Sequence, residues 1–377
     1  MKEKLRSLGL TLTAVAVAIL IAAAVTSLVL LVTGHSPVDA IKAMWDYGNL
    51  PDSKVSILDN ATIYYLSAVA VAIGFRMNLF NIGVDGQYRM AAMLAAAFGG
   101  AVVLPKGIHQ IAIIIVAMLV GAAWAGIVAI LKVTRGVSEV ISSIMLNGIA
   151  TGLIAYLIRP SILGKQVSAN NITTTPIPAS GHVGALSLVP GADTKVYGLI
   201  VLAVVVGVAF QVTVSRTRFG FDLRATGRSS SAAQASGVNV KRMIVISMLL
   251  SGAVAGLIGM PVLLGDSFAY SSITFQSGLG FTGIAVALLG RNNPIGIAFA
   301  ALLWAFLDQS SLALDIISIP KEIVQITQGV VVLSVVIAFE LVRRIALANQ
   351  QRAVGRALAP PSSPAPPSAP TPEAVTV

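Results

Sequence analysis

Long apolar segments separated by short polar ones make up most of this chain. An α-helix rises about 1.5 Å per residue, so roughly 20 apolar residues are needed to cross the hydrocarbon core of a bilayer. We therefore predict an all-α fold, a polytopic membrane bundle of about ten helices. The predicted spans are residues 8–32, 61–75, 90–104, 111–131, 140–158, 196–214, 243–264, 278–289, 295–312 and 323–342. Residues 278–289 are short for a full crossing, which leaves a re-entrant segment as the alternative.

The composition excludes several classes of protein. Hydrophobic residues make up 56% of the chain and charged residues 11%, whereas a soluble domain carries about 25% charged residues. A soluble globular protein and a disordered chain are thereby excluded. The absence of cysteine removes thiolate catalysis and cysteine-based metal sites. The net charge of +10 does not by itself predict a nucleic-acid partner, because in a membrane protein the position of the charges matters more than their sum.

The distribution of basic residues predicts the orientation in the membrane. Most of the 25 Lys and Arg residues lie at the N-terminus and in the connections that would share its side. By the positive-inside rule, both termini are expected in the cytoplasm, and this requires an even number of spans. Residues 34–60 and 159–195 are then outer loops, and residues 215–242 form an inner loop.

Two domains are expected. Residues 1–345 form the transmembrane domain, and residues 346–377 form a Pro/Ala-rich cytoplasmic tail that we expect to be disordered, since such a composition cannot bury a core.

The usual signatures of an enzyme are missing. The chain has no phosphate-binding Gly-x-x-x-x-Gly-Lys-Ser/Thr loop, no His-Glu-x-x-His and no Gly-x-Ser-x-Gly. Its three histidines, His35, His109 and His182, fall in separate predicted outer loops. We expect no enzyme activity, no cofactor and no metal site in this chain.

Two of the polar residues inside predicted spans are candidates for a specific role. Asp308 in the ninth span is either a functional residue or a carboxylate solvated at the end of its helix. Asn147 in the fifth span is expected to join helices by hydrogen bonds. A proton-driven transporter is disfavoured, because such proteins carry a larger set of buried carboxylates.

Two polar stretches that contain glycine interrupt the apolar pattern. The first runs from Phe75 to Gln87, and its Asn78, Asn81, Asp85 and Gln87 can satisfy backbone groups freed at a break between spans. The alternative is a simple cytoplasmic turn. In the second, residues 288–296, Pro294 begins a helix and its predecessor Asn293 caps it.

The inner loop at residues 215–242 predicts a short helix over residues 229–237. A serine caps its start, and Gly237 ends it in the left-handed conformation. Such a short helix is unstable alone in water, so something must hold it. Either it rests on anionic membrane lipid through the flanking basic residues, or it docks into a cytosolic partner.

Several motifs resemble one family. Ala232-Ala-Gln-Ala-Ser-Gly237 resembles the Glu-Ala-Ala-x-x-x-Gly signature of importer permeases that dock on ATP-binding-cassette (ABC) ATPases, although Ser231 stands where the signature has Glu. Three further stretches are similar to the ribose and nucleoside branch, within the superfamily that includes branched-chain amino-acid permeases. They are Leu79-Phe-Asn-Ile-Gly-Val-Asp-Gly-Gln87, Gly283-Ile-Ala-Val-Ala-Leu-Leu-Gly-Arg-Asn-Asn-Pro294, and Ala225-Thr-Gly-Arg228 with the following Gly237-Val-Asn-Val-Lys-Arg242.

The resemblance implies a membrane subunit of an importer for nucleosides, located in a bacterial plasma membrane. It implies as partners cassette ATPases that use the ATP, a second homologous permease or a second copy of this chain, and an extracytoplasmic substrate-binding lipoprotein. Residues 229–237 would be the coupling helix, with ATPase contacts at Arg228, Ser229, Ser231, Ala232, Ala233 and Gly237. The candidate residues of the substrate pathway are Asn78, Asn81, Asp85, Gln87 and Asp308.

Three alternatives remain open at this point. The first is a permease for ribose-like sugars, the second an ion-coupled secondary transporter, and the third a membrane scaffold without a pathway. In the seventh span, Gly256, Gly259 and Pro261 predict either a bend or close helix packing.

Overall fold

The computed structural model describes residues 20–358, except residues 22, 169, 170, 276 and 321. Helices form most of it. In chain order they are α1 Ala23–Val32, α2 Pro37–Gly48, α3 Pro51–Phe75, α4 Val84–Ala101, α5 Ile108–Arg135, α6 Glu139–Leu157, α7 Ile200–Arg216, α8 Arg218–Arg228, α9 Ser230–Ala235, α10 Val240–Gly256, α11 Met260–Val262, α12 Leu279–Leu289, α13 Pro294–Ser310, α14 Leu312–Ile316 and α15 Glu322–Leu358.

Among the described residues, five helices are long and apolar enough to cross a membrane. Two bent pairs, α1 with α2 (114°) and α7 with α8 (73°), raise the number to seven if each pair is one span. Each of the ten apolar segments overlaps a described helix, but five to seven candidate spans are found among the described residues, so the number of ten stays a prediction. α12 has 11 residues, about 16 Å at the usual rise, which is too short to cross the hydrocarbon by itself.

α3 lies at the centre of the bundle, packed against α10, α12 and α13. Residues 66–72 of this helix are completely buried. They are mostly Ala, Val and Ser, whose small side chains let neighbouring helices approach closely. α3 is therefore an internal helix, and its contacts position the helices around it.

α5 and α10 make the closest helix pair. A Cβ added at Gly121 would clash with the backbone of Gly252, and one added at Gly256 would clash with the backbone of Ala117. α10 also ends at Gly256, and the short helix that follows begins at Met260, with Pro261 as its second residue. Of the two alternatives for this region, close packing is confirmed at Gly256, whereas residues 240–267 count as one candidate span and not as one of the two sharply bent pairs.

A two-stranded antiparallel hairpin corrects the purely helical prediction. Strands β1 Gly164–Ser168 and β2 Asn171–Thr174 pair within the loop at residues 159–195. Thr174 joins this loop to the bundle, since its backbone N–H donates to the Tyr270 carbonyl (3.0 Å) and its side-chain oxygen accepts from the Tyr270 N–H (3.0 Å).

The boundary of the tail also differs from the prediction. α15 continues to Leu358, so residues 346–358 are helical and not disordered. This stretch is rich in Ala, Leu, Gln and Arg, which favour helix, and the run of prolines begins only at Pro360. Residues 359–377 lie outside the described part, as do residues 8–19 of the first predicted span.

Candidate functional site

A polar cavity of about 530 Å³ lies among α3, α4, α12, α13 and α15, next to the broken segment between α10 and α12. Side chains that can form hydrogen bonds line much of it, and four aromatic rings complete the wall. The polar side chains are Asn60, Thr274, Ser277, Thr282, Asp308, Gln325 and Gln328, and the aromatic ones are Tyr64, Tyr88, Phe275 and Trp304. A polar, aromatic cavity inside an apolar bundle can hold a ligand with ring faces and hydrogen-bonding edges.

Asp308 is the central acceptor of this cavity. The Tyr64 hydroxyl donates to its Oδ2, and the Gln328 amide Nε2 donates to its Oδ1 at 3.3 Å. These contacts join α13 to α3 and α15. Gln328 is only 5% exposed and Tyr64 8%, so two buried donors orient the carboxylate of Asp308, which is itself half-buried near the end of α13. The functional role of Asp308 stays a prediction.

Asn81 and Gln87 form a buried clamp away from this cavity. The amide of Asn81 and that of Gln87 exchange two hydrogen bonds, at 3.0 and 2.9 Å. Asn81 Nδ2 also donates to Ser251 Oγ (2.8 Å), and that hydroxyl donates to the Ala70 carbonyl (2.6 Å). The clamp therefore joins the segment before α4 to α10 and α3.

The remaining two candidate residues also lie outside the cavity wall. Asp85 Oδ1 accepts from the Gly278 N–H at 2.7 Å, which positions the start of α12 against α4. Asn78 is exposed in the turn after α3, with φ of 58°. Of the five pathway candidates, only Asp308 lines the cavity, and the pathway role of the other four stays a prediction.

The sequence reasoning missed most of the cavity's polar and aromatic wall. One signal was available, because three pairs recur at helical spacing: Asn60 with Tyr64, Trp304 with Asp308, and Gln325 with Gln328. Residues three or four apart share one face of a helix. Polar or aromatic pairs on otherwise apolar helices therefore mark the faces that meet at this cavity.

The loop at residues 215–242 has the local structure that its sequence predicts. Ser229 Oγ accepts from the Ala232 N–H (3.3 Å) and so caps α9. Gly237 has φ of 85°, and the next residue, Val238, donates its N–H to the Ala233 carbonyl (3.0 Å). Ala233 is buried, whereas Arg228, Ser231, Ala232 and Gly237 are exposed. The helix therefore presents most of its surface outward, as a docking element would.

Comparison with known proteins decides the family. Residues 54–336 match the family described as branched-chain amino acid transport system, permease component. The chain belongs to this family. It is 35% identical over 329 residues to the guanosine ABC transporter permease protein NupP of Bacillus subtilis (strain 168), an alignment that covers 86% of this chain and 93% of NupP.

Two further relatives extend the comparison. The nucleoside ABC transporter permease protein NupB of Lactococcus lactis subsp. cremoris (strain MG1363) is 29% identical over 90% of this chain and 93% of its own. The glucose ABC transporter permease protein TsgB13 of Haloferax volcanii (strain ATCC 29605) is also 29% identical, over 89% of this chain and 90% of TsgB13. No solved structure gives a match. The resemblance drawn from the motifs is confirmed: the chain is a multi-pass permease component, and its relatives are named as ABC transporter permeases.

Proposed function

We propose that this chain is the permease subunit of an ABC importer that carries nucleosides across a bacterial plasma membrane. The observation that carries the proposal is the cavity around Asp308, in which aromatic rings and amide side chains face one another. A nucleoside offers a flat base for stacking and a ribose with hydroxyl groups for hydrogen bonds. The two relatives named for guanosine and nucleoside transport support the same cargo.

The proposed assembly follows the family. Cassette ATPases hydrolyse ATP below the membrane and contact α9, a second permease or a second copy of this chain completes the pathway, and an extracytoplasmic lipoprotein delivers the nucleoside. We propose no cofactor for this chain, and among the described residues no group of three or more His, Asp or Glu side chains could hold a metal ion. We propose ten crossings, which place both termini in the cytoplasm; a re-entrant α12 would leave nine and place the termini on opposite sides. Residues 359–377 form the Pro-rich cytoplasmic tail in this proposal.

A sugar such as ribose or glucose is the second candidate cargo, and it is favoured by the similarity to TsgB13. A sugar has hydroxyl groups for Asp308, Gln325 and Gln328 but no flat aromatic base for the rings of Tyr88 and Trp304. The number of aromatic residues therefore favours a nucleoside.

The test is transport by the reconstituted complex. This chain is reconstituted in proteoliposomes with the ATPase, permease and lipoprotein that are encoded beside it in the genome. ATP is supplied, and the uptake of labelled guanosine is compared with that of labelled glucose. Guanosine uptake that requires ATP supports the proposal. Uptake of glucose alone establishes the sugar alternative, and uptake by this chain alone, driven by an ion gradient, would establish a secondary transporter.

A further inference from the structure

Three connections of the bundle meet at Arg76, the residue that follows α3. Its guanidinium Nη2 donates to the carbonyl oxygen of Asn292, in the turn between α12 and α13, at 2.6 Å. Its own carbonyl oxygen lies against Gly227 at the end of α8, where an added Cβ would clash with it. One residue thus contacts both the segment that leads into α9 and the turn that leads into α13.

The contact with α8 is tight and buried. Leu223 is 1% exposed and Thr226 7%, so α8 packs firmly beside Gly227. Burial, and secondarily the nearby Arg224, hold the pKa of Arg76 below its ordinary value. A glycine is required at this point because the backbones of α8 and of the turn after α3 approach without room for a side chain.

The turn on the other side of Arg76 is strained. Arg291 and Asn292 are consecutive residues with φ of 56° and 54°, a left-handed conformation that residues with a Cβ seldom adopt. Among the described residues, Arg76 Nε and Asn292 Oδ1 are buried without a hydrogen-bond partner. Arg76 and Asn292 thus share one hydrogen bond, while a donor of Arg76 (Nε) and an acceptor of Asn292 (Oδ1) have no partner in the described part of the chain. A second arrangement of the turn can pair these two atoms with each other.

The two helices fastened at this junction both reach the polar cavity. Tyr64 lies about 18 Å of helix before Arg76 along α3. Trp304 lies the same distance after Asn292 along α13. Tyr64 and Trp304 both line the cavity, and Tyr64 donates to Asp308. A shift at the junction is carried to the cavity wall because packed helices move as rigid bodies.

We infer that Arg76 is a positioning residue that couples α8 and α9 to the cavity, by fastening the end of α8 and the Asn292 turn to the end of α3. This inference rests on the proposed importer function and names the path by which the ATPase contact reaches the transported nucleoside. When α9 moves, Arg76 and Asn292 change partners, and α3 and α13 move against each other around Asp308.

The experiment compares uptake with ATP hydrolysis in the reconstituted complex, with guanosine as the probe. For Arg76→Gln we expect guanosine uptake per ATP hydrolysed to fall about fivefold or more, the lower end of coupling effects between sites. Arg76→Lys, which keeps a charged donor, is expected to restore part of this ratio. Asn292→Gly keeps the backbone carbonyl and the positive φ but removes Oδ1, and it is also expected to lower the ratio.

The matched control is Gly152→Ala in α6, where an added Cβ meets nothing within 4 Å. A purely structural defect lowers the amount of complex and both rates together, so it leaves the ratio unchanged. If wild type imports guanosine with ATP while Arg76→Gln and Asn292→Gly keep the wild-type ratio, the inference is overturned. If the Arg76→Gln variant does not assemble, the uptake-to-hydrolysis ratios of Asn292→Gly and Arg76→Lys test the inference in its place. Failure of the wild-type complex to import guanosine would instead refute the proposed function.

Discussion

At the scale of single residues, Asp308 illustrates how a carboxylate is kept within an apolar bundle. It accepts hydrogen bonds from Tyr64 on α3 and Gln328 on α15, both of which are buried. A buried charge is costly unless it is paired or hydrogen-bonded. Because both donors line the cavity as well, the residues that stabilise Asp308 are also those that a transported molecule would meet.

Asp308→Asn should therefore impair transport without loss of the assembled complex. The amide replaces one acceptor oxygen by a donor, which faces either the Tyr64 hydroxyl or the Gln328 amide. Hydrogen bonds to a charged group contribute about 1.5–3 kcal/mol, so uptake at limiting guanosine should fall about tenfold or more. Glu322→Gln, which changes an exposed carboxylate at the start of α15, is the control. Wild-type uptake in Asp308→Asn would remove this residue from the site.

The Asn81–Gln87 clamp makes a contrasting prediction. Asn81→Ala leaves the Gln87 amide and the Ser251 hydroxyl with fewer partners in a buried place, a loss of about 1–3 kcal/mol of stability. We expect the midpoint of thermal unfolding and uptake to fall together, with unchanged preference among nucleosides. An altered preference at unchanged stability would place Asn81 in the pathway itself.

What the sequence reveals of these residues depends on how local their contacts are. Asn293 was predicted to cap the helix that begins at Pro294, and its side chain does accept from Ile295 N–H (3.0 Å) and Gly296 N–H (3.3 Å). Asn147 joins helices as predicted, through Gly86 N–H (2.9 Å). Which residue on α4 Asn147 contacts is decided by tertiary packing and cannot be predicted from residue spacing. The same holds for Asp308, whose partner Tyr64 lies 244 positions away in the sequence.

At the scale of elements, α9 is a short helix with strong caps. Its six residues are too few to be stable alone, so Ser229 at the start and Gly237 beyond the end define it. Both devices are local in sequence, which is why they could be predicted. The β1–β2 hairpin was not predicted, because residues 164–174 lack a clear alternation and their pairing is completed by contacts with Tyr270.

Gly237→Val tests whether the cap of α9 matters for coupling. Nothing lies within 4 Å of an added Cβ, so the substitution acts through the backbone alone, at a cost of about 1–2 kcal/mol for the left-handed conformation. We expect the ATPase to assemble poorly or to hydrolyse ATP with little uptake. Gly237→Asn is the matched control, since Asn tolerates positive φ. Equal uptake per ATP in both variants would contradict a coupling role for α9.

At the scale of the whole molecule, the contacts divide the bundle into two ends. The junction at Arg76 and the coupling segment lie near the end of α3, whereas the cavity lies near its middle, beside Asn60 and Tyr64. α3 is packed against α10, α12 and α13. If the coupling segment is cytoplasmic, the cavity lies about 18 Å of helix deeper in the membrane, on the path that an imported molecule would take.

The orientation can be tested directly because the chain has no native cysteine. Ser231→Cys in α9 and Val167→Cys in β1 each place one thiol at an exposed position. In intact cells, a membrane-impermeant maleimide should label Cys at 167 and leave Cys at 231 unlabelled until the membrane is opened. Guanosine uptake by both variants checks that they are folded. Labelling of position 231 from outside would reverse the orientation, and with it the assignment of α9 to an ATPase. If α7 crosses the bilayer once, the two thiols lie on opposite faces, and labelling of both from outside would require an even number of spans between them.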